Sequence, residues 1–369
     1  MRNKIIKNVE WVILVCAIIL LVIGMLALFS ATKEDNNGEL TRQLIWTAIS
    51  IPIMIVVMCI DYEEIVKVAP VFYCIFMILF IFVLFTEPIN GARSWFKVSE
   101  SLSFQPSELA KVFVIMTMAV LLVKLQKKGR REINKIWKLM LFFMVIGIPL
   151  GLIVIQPDIG TAASYIMSML FMLFVSGIDK KYIIVAVLLI AITIPLAYIY
   201  VLPPHAKARI DVFLNPELDP RGIGYNIIQS KLAIGAGQLF GMGMLKGNQT
   251  QLGFLYPKTT DFIFAVIGEE FGFILTSTIV ILYVVLLTKG IYVAKTAKDD
   301  LGSYISIGIV GLFFFHMLEN IDMTIGLLPI TGVPLPFVSY GGSSLVTNFM
   351  CIGLLLNISG RRKKAIFVD

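Results

Sequence analysis

Residues 11–30 read WVILVCAIILLVIGMLALFS, twenty residues without a charged side chain. A helix of about 20 mostly apolar residues crosses the hydrocarbon core of a bilayer, so this stretch predicts a membrane span. It resembles the apolar part of a secretory signal, but it runs uncharged to Ser30 without a clear small-residue cleavage site, and we predict a retained first span. The whole chain of 369 residues, 58% hydrophobic and 15% charged, is too apolar for a water-soluble globule.

Nine further segments are long and apolar enough to cross a bilayer. The sequence therefore predicts an all-α polytopic membrane protein with about ten transmembrane helices. An eleventh apolar segment, IDMTIGLLPITGVPLPFV, contains Pro329, Pro334 and Pro336, which remove helical hydrogen bonds, so we predict a loop packed on protein there. The ten predicted spans are 11–30, 43–60, 68–86, 106–123, 139–155, 159–178, 182–203, 262–288, 301–319 and 343–359.

Lysine and arginine are distributed unevenly between the two sides of this arrangement. With a cytoplasmic N-terminus, the inside segments hold 20 of these residues and the short outside loops hold 4. Because positive charge in short loops favours the cytoplasmic side, both termini are predicted to be cytoplasmic. One long extracytoplasmic loop, residues 204–261, then lies between spans seven and eight. Its near-helical apolar spacing and repeated glycines predict interfacial helices joined by tight turns.

Composition and motifs argue against several classes of function. The net charge of +7 lies in short segments between apolar runs and not on one soluble face, so no nucleic-acid partner is predicted. The four cysteines stand in apolar runs without CxxC or His/Cys metal spacing and are interpreted as small buried hydrophobes. The loop glycines do not form a nucleotide site: GxxxxGK[ST] is absent, and GAGQLFG has Phe240 where a dinucleotide fingerprint needs glycine.

The first outward segment with unexpected polar residues is residues 90–111. Pro106 suits the first turn of a helix, and Glu108 and Lys111 share a helix face. On a structural interpretation the two charges neutralise each other and Trp95 is an interfacial anchor. On a functional interpretation the same residues belong to a site.

Two more outward segments carry polar groups. In QPDIGT, Asp158 can cap the following helix, which explains it without catalysis. In LPITGVPLPFVSYGGSS, Gly341 and Gly342 permit close approach of a ligand and Ser343 offers a hydrogen bond. No His/Asp pattern predicts that Ser343 is a nucleophile, and His316, inside a span, is interpreted as a helix-packing residue.

The stretch KTTDFIFAVIGEEFG places Asp261 at the start of span eight and two carboxylates inside it. Thr260 or Asp261 can cap the helix. Glu269 lies about 12 Å further along the axis, where adjacent carboxylates must face a polar interior, a cation or a wet cavity. Since Glu269 and Glu270 point in different directions, one is predicted to line a shared site. The other packs towards the cytoplasmic half or pairs with a basic group such as Lys111.

Six motifs together resemble one family. GARSW, FQPSELAK, QPDIGT, DPRGIGYNIIQSKLAIGAG, TDFIFAVIGEE and LPITGVPLPFVSYGGSS, in this order between ten predicted spans, resemble the SEDS (shape, elongation, division and sporulation) proteins over residues 61–359. DYEEI after the second span, the compact length and the short tails resemble the elongation members more than the division members. The chain departs from the family pattern at ENIDM, where Asp322 replaces glycine, and at FLYPKTTD.

The resemblance implies a peptidoglycan glycosyltransferase in the bacterial cell membrane that polymerises lipid II on the extracytoplasmic face. It implies four partners: lipid II, the growing glycan chain, membrane lipid and a class B penicillin-binding protein that acts as transpeptidase. By the family motifs, Asp261 is the residue essential for polymerisation. Trp95, Glu108 and Lys111 match further motif positions.

Chemistry outside the cell lacks nucleotides, so the sugar donor must arrive activated, as a polyprenyl pyrophosphate does. We assign the general base that deprotonates the acceptor hydroxyl, worth about 10² to 10⁴ in rate, to Asp261. The leaving pyrophosphate needs cations, for which Arg209, Lys111 and Arg221 are the candidates. No cofactor is certain, and a divalent cation (Mg²⁺ or Mn²⁺) held by Asp261 is the alternative. The predicted substrate-binding set is Trp95, Glu108, Lys111, Asp158, Arg209, Arg221, Glu269 and Ser343.

Other functions stay open from the sequence alone. A transporter that flips lipid-linked precursors also needs charges buried among its spans, although the two halves of this chain show no matching repeats. A non-catalytic scaffold that recruits the transpeptidase would explain the spans but leaves the carboxylates without a purpose. Within the family, a division polymerase is the alternative to an elongation polymerase.

Overall fold

Long helices form the body of the protein in the computed structural model, which describes residues 8–33, 38–88, 92–99, 102–201, 207, 211–220 and 222–362. A helix occupies each of the ten predicted spans. The prediction of an all-α polytopic membrane protein is confirmed. In chain order the helices are α1 (Trp11–Ala31), α2 (Gly38–Cys59), α3 (Tyr62–Val83), α4 (Pro106–Leu125), α5 (Ile136–Ile155), α6 (Ile159–Ser176), α7 (Lys180–Leu196), α8 (Ile223–Ala236), α9 (Asn248–Gln251), α10 (Ile263–Thr296), α11 (Asp300–Ile325) and α12 (Gly342–Gly360).

Eight of these helices are long and apolar enough to cross a membrane: α1, α2, α3, α5, α6, α10, α11 and α12. The other two predicted spans correspond to α4 and to α7, which continues as a π-helical turn over Ala197–Val201. The number of ten crossings therefore stays a prediction. The start of α1 and the end of α12 lie at the same end of the bundle, as an even number of crossings requires. The Arg362 guanidinium there is 2.7 Å from the Glu10 carboxylate.

The bundle has two chemically different ends. At the basic end, ion pairs join the turns between helices, as between Lys298 and Glu63 and between Arg130 and Asp300. The loop-rich end carries the connections after α1, α3, α5, α7 and α11. The basic end corresponds to the side that the charge count predicts to be cytoplasmic.

The helices α11 and α12 lie at the centre of the bundle, and the described faces of α2, α3 and α5 are largely exposed, as lipid-facing helices are. α11 runs to Ile325, six residues beyond the predicted span, and ends where Gly326 adopts a left-handed conformation with φ of 74°. Residues 327–341 follow without a helix, and the side chains of Val333 and Leu335 in this segment are buried. The proline-rich segment thus begins as helix and continues as the predicted packed loop.

At the loop-rich end, the strands in the connection after α3 were not predicted, whereas helices in the long loop were. The connection after α3 forms a hairpin of β1 (Phe96–Ser99) and β2 (Leu102–Phe104), with Phe96 opposite Phe104. The long loop contributes α8, which packs on α10 and α11, and α9. Exposed apolar side chains beyond α8 are what an interfacial segment presents, as at Phe240.

α10 is interrupted inside its length. Gly272 has φ of 75° and ψ of −170°, so the helical backbone stops there and resumes. Residues 237–243 of the long loop fill the break: a Cβ on Gly241 would lie 2.1 Å from the Glu270 carbonyl oxygen, so only glycine fits at that approach. The break leaves backbone groups of α10 without partners in the helix, and the long loop supplies them. The N–H groups of Met242 and Gly243 donate to the carbonyls of Glu269 and Glu270. The N–H groups of Phe273 and Ile274 donate to the carbonyls of Gln238 and Leu239.

Candidate active site

Asp261 lies at the loop-rich end, two residues before α10. The Asn320 side-chain amide of α11 donates to the Asp261 carbonyl at 3.1 Å and to the Val333 carbonyl at 2.9 Å. The 332–335 turn lies beside the Asp261 carboxylate: a Cβ on Gly332 would be 3.4 Å from it, an ordinary contact distance, and the Gly332 φ of 74° is one that glycine favours. The helix begins at Ile263 without a side-chain cap, and the prediction that Thr260 or Asp261 caps it is wrong. The carboxylate is therefore available for another role.

The environment of the Asp261 carboxylate favours its neutral form. Burial raises the pKa of Asp261 from 3.8 to about 6, against a smaller lowering by a hydrogen bond from Thr260. In the described part of the chain no lysine, arginine or histidine forms an ion pair with it. Its side chain is still partly exposed. A carboxylate of this kind can take up a proton close to neutral pH.

Glu108 and Lys111 of α4 form a buried ion pair, with the ammonium 2.6 Å from the carboxylate and both side chains at most 5% exposed. The predicted self-neutralising pair is thus present, and Pro106 begins its helix. Lys111 also contacts His316 of α11 at 3.1 Å, and the other ring nitrogen of His316 lies 3.0 Å from the Pro334 carbonyl oxygen. The histidine is a member of a polar chain and not only a packing residue.

Asp158 caps α6 as predicted, accepting a bond from the Thr161 N–H at 3.1 Å. It also accepts from the Gln105 side chain at 2.9 Å, while the Gln105 N–H donates to the Ser343 hydroxyl at 3.4 Å. These contacts join three of the predicted segments. Trp95 comes directly before β1 and is half-buried, with its carbonyl accepting from the Thr86 hydroxyl at 3.2 Å.

Glu269 and Glu270 are both buried, and neither faces lipid. Glu269 accepts from the Gln249 N–H at 2.7 Å and from the Thr250 N–H and hydroxyl at 3.0 and 2.7 Å. Glu270 accepts from the Ser30 hydroxyl, in the last turn of α1, at 2.7 Å. Neither carboxylate pairs with a basic side chain in the described residues, so the predicted pairing with Lys111 is wrong. Ser30 belongs to the loop-rich end, so Glu270 lies towards that end and not towards the basic end, which is the end predicted to be cytoplasmic.

Arg209 and Arg221, two candidates for binding pyrophosphate, lie outside the described residues. Among the residues that are described, no group of three or more His, Cys, Asp or Glu side chains is placed to hold a metal ion. A divalent cation at this site would therefore depend on Asp261 together with oxygen atoms of the substrate, which is a common way of binding Mg²⁺.

Comparison with known proteins places this site in a family. A model described as "Cell cycle protein", for FtsW, RodA and SpoVE, matches residues 10–364. The Escherichia coli K12 protein named peptidoglycan glycosyltransferase MrdB is 37% identical over 93% of this chain and 91% of its own length. Stage V sporulation protein E of Bacillus subtilis is 35% identical over 95% of this chain and 96% of its own length.

The chain belongs to the SEDS family of FtsW, RodA and SpoVE. Solved structures agree with this assignment. A chain from a structure described as "Structural coordination of polymerization and crosslinking by a peptidoglycan synthase complex" matches with a TM-score of 0.84 and 27% identity, over 96% of this chain and 99% of that one. The rod shape determining protein RodA of Thermus thermophilus matches with a TM-score of 0.71 and 25% identity, over 96% and 98%.

Within this SEDS protein, sequence reasoning missed His316 and Asn320 as members of the site. A signal was available, because a histidine and an asparagine inside an apolar span each need a hydrogen-bonding partner. Their spacing of four residues also places them on one face of α11. What the sequence did not reveal was the partner, since Pro334 and Asp261 reach α11 from separate loops.

Proposed function

We propose that this protein is a peptidoglycan glycosyltransferase that polymerises lipid II into glycan strands during cell elongation. Relatives named as peptidoglycan glycosyltransferases align along nearly the whole chain. The single observation that carries the chemistry is the Asp261 carboxylate, partly exposed at the loop-rich end, without an ion-pair partner in the described residues and with its pKa raised to about 6.

In the proposed reaction Asp261 is the general base. It accepts the proton of the acceptor sugar hydroxyl, whose oxygen attacks the anomeric carbon of the donor. The bond from that carbon to the pyrophosphate oxygen breaks, and the polyprenyl pyrophosphate leaves with the bonding electrons. Direct displacement inverts the donor carbon. One carboxylate suffices because the leaving group is already good, whereas a glycosidase needs a second carboxylic acid to protonate its leaving group.

The leaving group needs positive charge, which we assign to Arg209 and Arg221 of the long loop. Lys111 is a weaker candidate than the sequence indicates, because its ammonium is buried and donates to Glu108 and His316. A divalent cation would supply the same neutralisation. This site is proposed to face the extracytoplasmic side of the bacterial membrane, since the opposite end carries the basic turns.

A class B penicillin-binding protein is the proposed partner. The structural relative that belongs to a peptidoglycan synthase complex, described as coordinating polymerisation and crosslinking, supports this assignment. A polymerase that exports a glycan strand needs a transpeptidase close to its outward end, and the loop-rich end provides that surface.

Reconstitution of the purified protein with lipid II tests the proposal. We expect glycan polymer, detected by electrophoresis of labelled strands. Movement of lipid II across the vesicle membrane without polymer would identify a flippase instead. If neither polymer nor movement is seen, with or without Mg²⁺, Mn²⁺ and a class B penicillin-binding protein, a scaffold is favoured.

A further inference from the structure

The two hydrogen bonds of His316 determine which ring nitrogen carries the hydrogen. An ammonium group only donates hydrogen bonds, so the His316 Nε2 atom, 3.1 Å from the Lys111 Nζ atom, accepts. The Nδ1 atom then carries the hydrogen and donates to the Pro334 carbonyl at 3.0 Å. In the opposite tautomer an unprotonated Nδ1 atom would face the Pro334 carbonyl oxygen, and both of these atoms are acceptors. His316 therefore links a buried cation to one peptide of the loop that follows α11.

That peptide is next to the residues that hold Asp261. Val333, immediately before Pro334, shares the Asn320 amide with the Asp261 carbonyl. Leu335, immediately after Pro334, donates its N–H to the Ser339 hydroxyl at 2.9 Å. The same hydroxyl donates to the carbonyl of Thr260 at 2.7 Å. The 332–335 turn is consequently bonded on both sides to the chain at Asp261.

The two side chains that anchor the 332–335 turn, Lys111 and His316, are both buried. Lys111 is 3% exposed and is held by Glu108 on the same helix, while His316 is 2% exposed. Loss of the anchor would leave the 332–335 turn, which lies beside the Asp261 carboxylate at Gly332, held only by Asn320 and Ser339 on the Asp261 side, and so would loosen it. More water would then reach the carboxylate, which is already partly exposed, and its position relative to a bound sugar would become less fixed. A misplacement of about 1 Å can cost about 100-fold in rate.

We propose that His316 is a positioning residue for glycosyl transfer: it ties the buried Lys111 ammonium to the Pro334 carbonyl and thereby holds the 332–335 turn over Asp261. The proposal rests on the proposed function for its effect on rate. The contact itself can be tested without activity, because exposure of the Asp261 carboxylate is measurable by chemical labelling.

Three substitutions of His316 test its bond to Lys111 and its bond to Pro334 independently. His316→Phe removes both, His316→Asn keeps an amide donor near the Nδ1 position for Pro334, and His316→Gln keeps an acceptor near the Nε2 position for Lys111. Met317→Leu, a volume-conserving change at the next position, is the matched control. Each purified protein is first shown to be monodisperse and to melt within about 1.5 °C of the wild type, because a given loss of stability shifts the melting temperature less in a longer chain.

Carbodiimide-driven labelling with glycine ethyl ester, read at Asp261 by mass spectrometry, is the first measurement. We expect labelling to become at least about threefold faster in His316→Phe and His316→Gln, a modest loss of protection compared with complete local opening. His316→Asn and Met317→Leu should label at the wild-type rate. Equal rates in all five proteins, or faster labelling in His316→Asn but not in His316→Gln, would overturn the proposal.

Polymerisation of lipid II is the second measurement. We expect kcat to fall about 10- to 100-fold in His316→Phe and His316→Gln with KM nearly unchanged, and the acid limb of the pH–rate profile to move to lower pH as water reaches Asp261. His316→Asn should keep most of the activity. A wild-type protein that makes no polymer refutes the proposed function, while the labelling result still decides whether His316 holds the turn.

Discussion

Asp261 and the pair Glu269 and Glu270 stand within ten residues of one another, yet their surroundings differ in kind. Glu269 has both carboxylate oxygens engaged by donors from Gln249 and Thr250. Asp261 is partly exposed and is covered by a glycine turn. A carboxylate whose oxygens are all engaged by the fold stabilises it, and one left accessible can exchange a proton with a substrate. The contrast separates Glu269, which the fold uses as an acceptor, from Asp261, the proposed general base, on the same segment.

The strongest test of this contrast is Asp261→Asn. We expect polymerisation of lipid II to fall about 10² to 10⁴-fold, since an amide cannot accept the hydroxyl proton. The fold should remain and even gain stability. Because burial raises the pKa of Asp261 from 3.8 to about 6, the wild type loses stability as pH rises between these two values and keeps that deficit at higher pH, and the neutral amide has no such deficit. The variant should therefore melt at the wild-type temperature or above it at pH 7.5.

Asp322→Asn, at the same end of the bundle, is the control for Asp261→Asn. We expect it to polymerise lipid II within about twofold of the wild type, as a conservative change at a half-buried position outside the contacts of Asp261 should. A wild-type rate in Asp261→Asn would remove the basis of the proposed mechanism.

Glu269→Ala should give the next largest effect, on stability. Three donors in Gln249 and Thr250 lose their acceptor in a buried setting, which costs roughly 3 kcal/mol or more. A lower melting temperature and faster proteolysis within residues 239–256 would show this loss of stability. Glu64→Ala, which breaks an exposed pair with Lys67, should change stability by at most about 0.5 kcal/mol. Lost polymerisation with unchanged melting would instead place Glu269 among the catalytic groups.

The close packing of Gly241 against the Glu270 carbonyl provides a third test. Gly241→Ala should destabilise the protein by roughly 2–3 kcal/mol, because φ is +81° and the new Cβ would meet the Glu270 carbonyl. Gly235→Ala is the matched control on α8: nothing lies within 4 Å of its Cβ, so stability should be unchanged or up to about 1 kcal/mol higher. Equal melting temperatures for the two variants would show that the close approach is not maintained.

The pH dependence of the rate gives the smallest expected effect. Asp261 must be ionised to accept a proton, so activity is present above its pKa of about 6 and is lost as pH falls through that value. Between pH 7 and pH 5 the initial rate should fall about tenfold. A flat profile over this range, in a protein whose melting temperature is also constant, contradicts the assignment of Asp261 as the base.

The bundle was largely predictable because the bilayer imposes length and composition on each span. The helix ends differ from the predicted ones by a few residues at most positions, with longer extensions at the start of α3 and at the ends of α10 and α11. Asp261 was found through a motif, and Asp158 through the general chemistry of helix caps. The roles of Glu269 and Glu270 were not predictable in the same way. Their partners in residues 249–251 belong to another part of the chain, and local pattern carries no information about such contacts.

The break at Gly272 escaped prediction for a related reason. A glycine in an apolar run is compatible with a continuous helix, and only the conformation shows that the backbone departs from it. Length was the available signal: 34 residues would form a rod of about 51 Å, well beyond the roughly 30 Å of a hydrocarbon core. The hairpin after α3 was missed because its strands have only 4 and 3 residues, too few for an alternating pattern to be recognised.

The interruption of α10 has a mechanical consequence. The portion after Gly272 is long enough to cross the lipid by itself, so the portion that leads back to Asp261 is anchored to protein and not to the hydrocarbon boundary. When a membrane thins or thickens, the lipid-facing portion can tilt to match it. The carboxylate then keeps its register with its protein neighbours while the lipid-facing portion tilts.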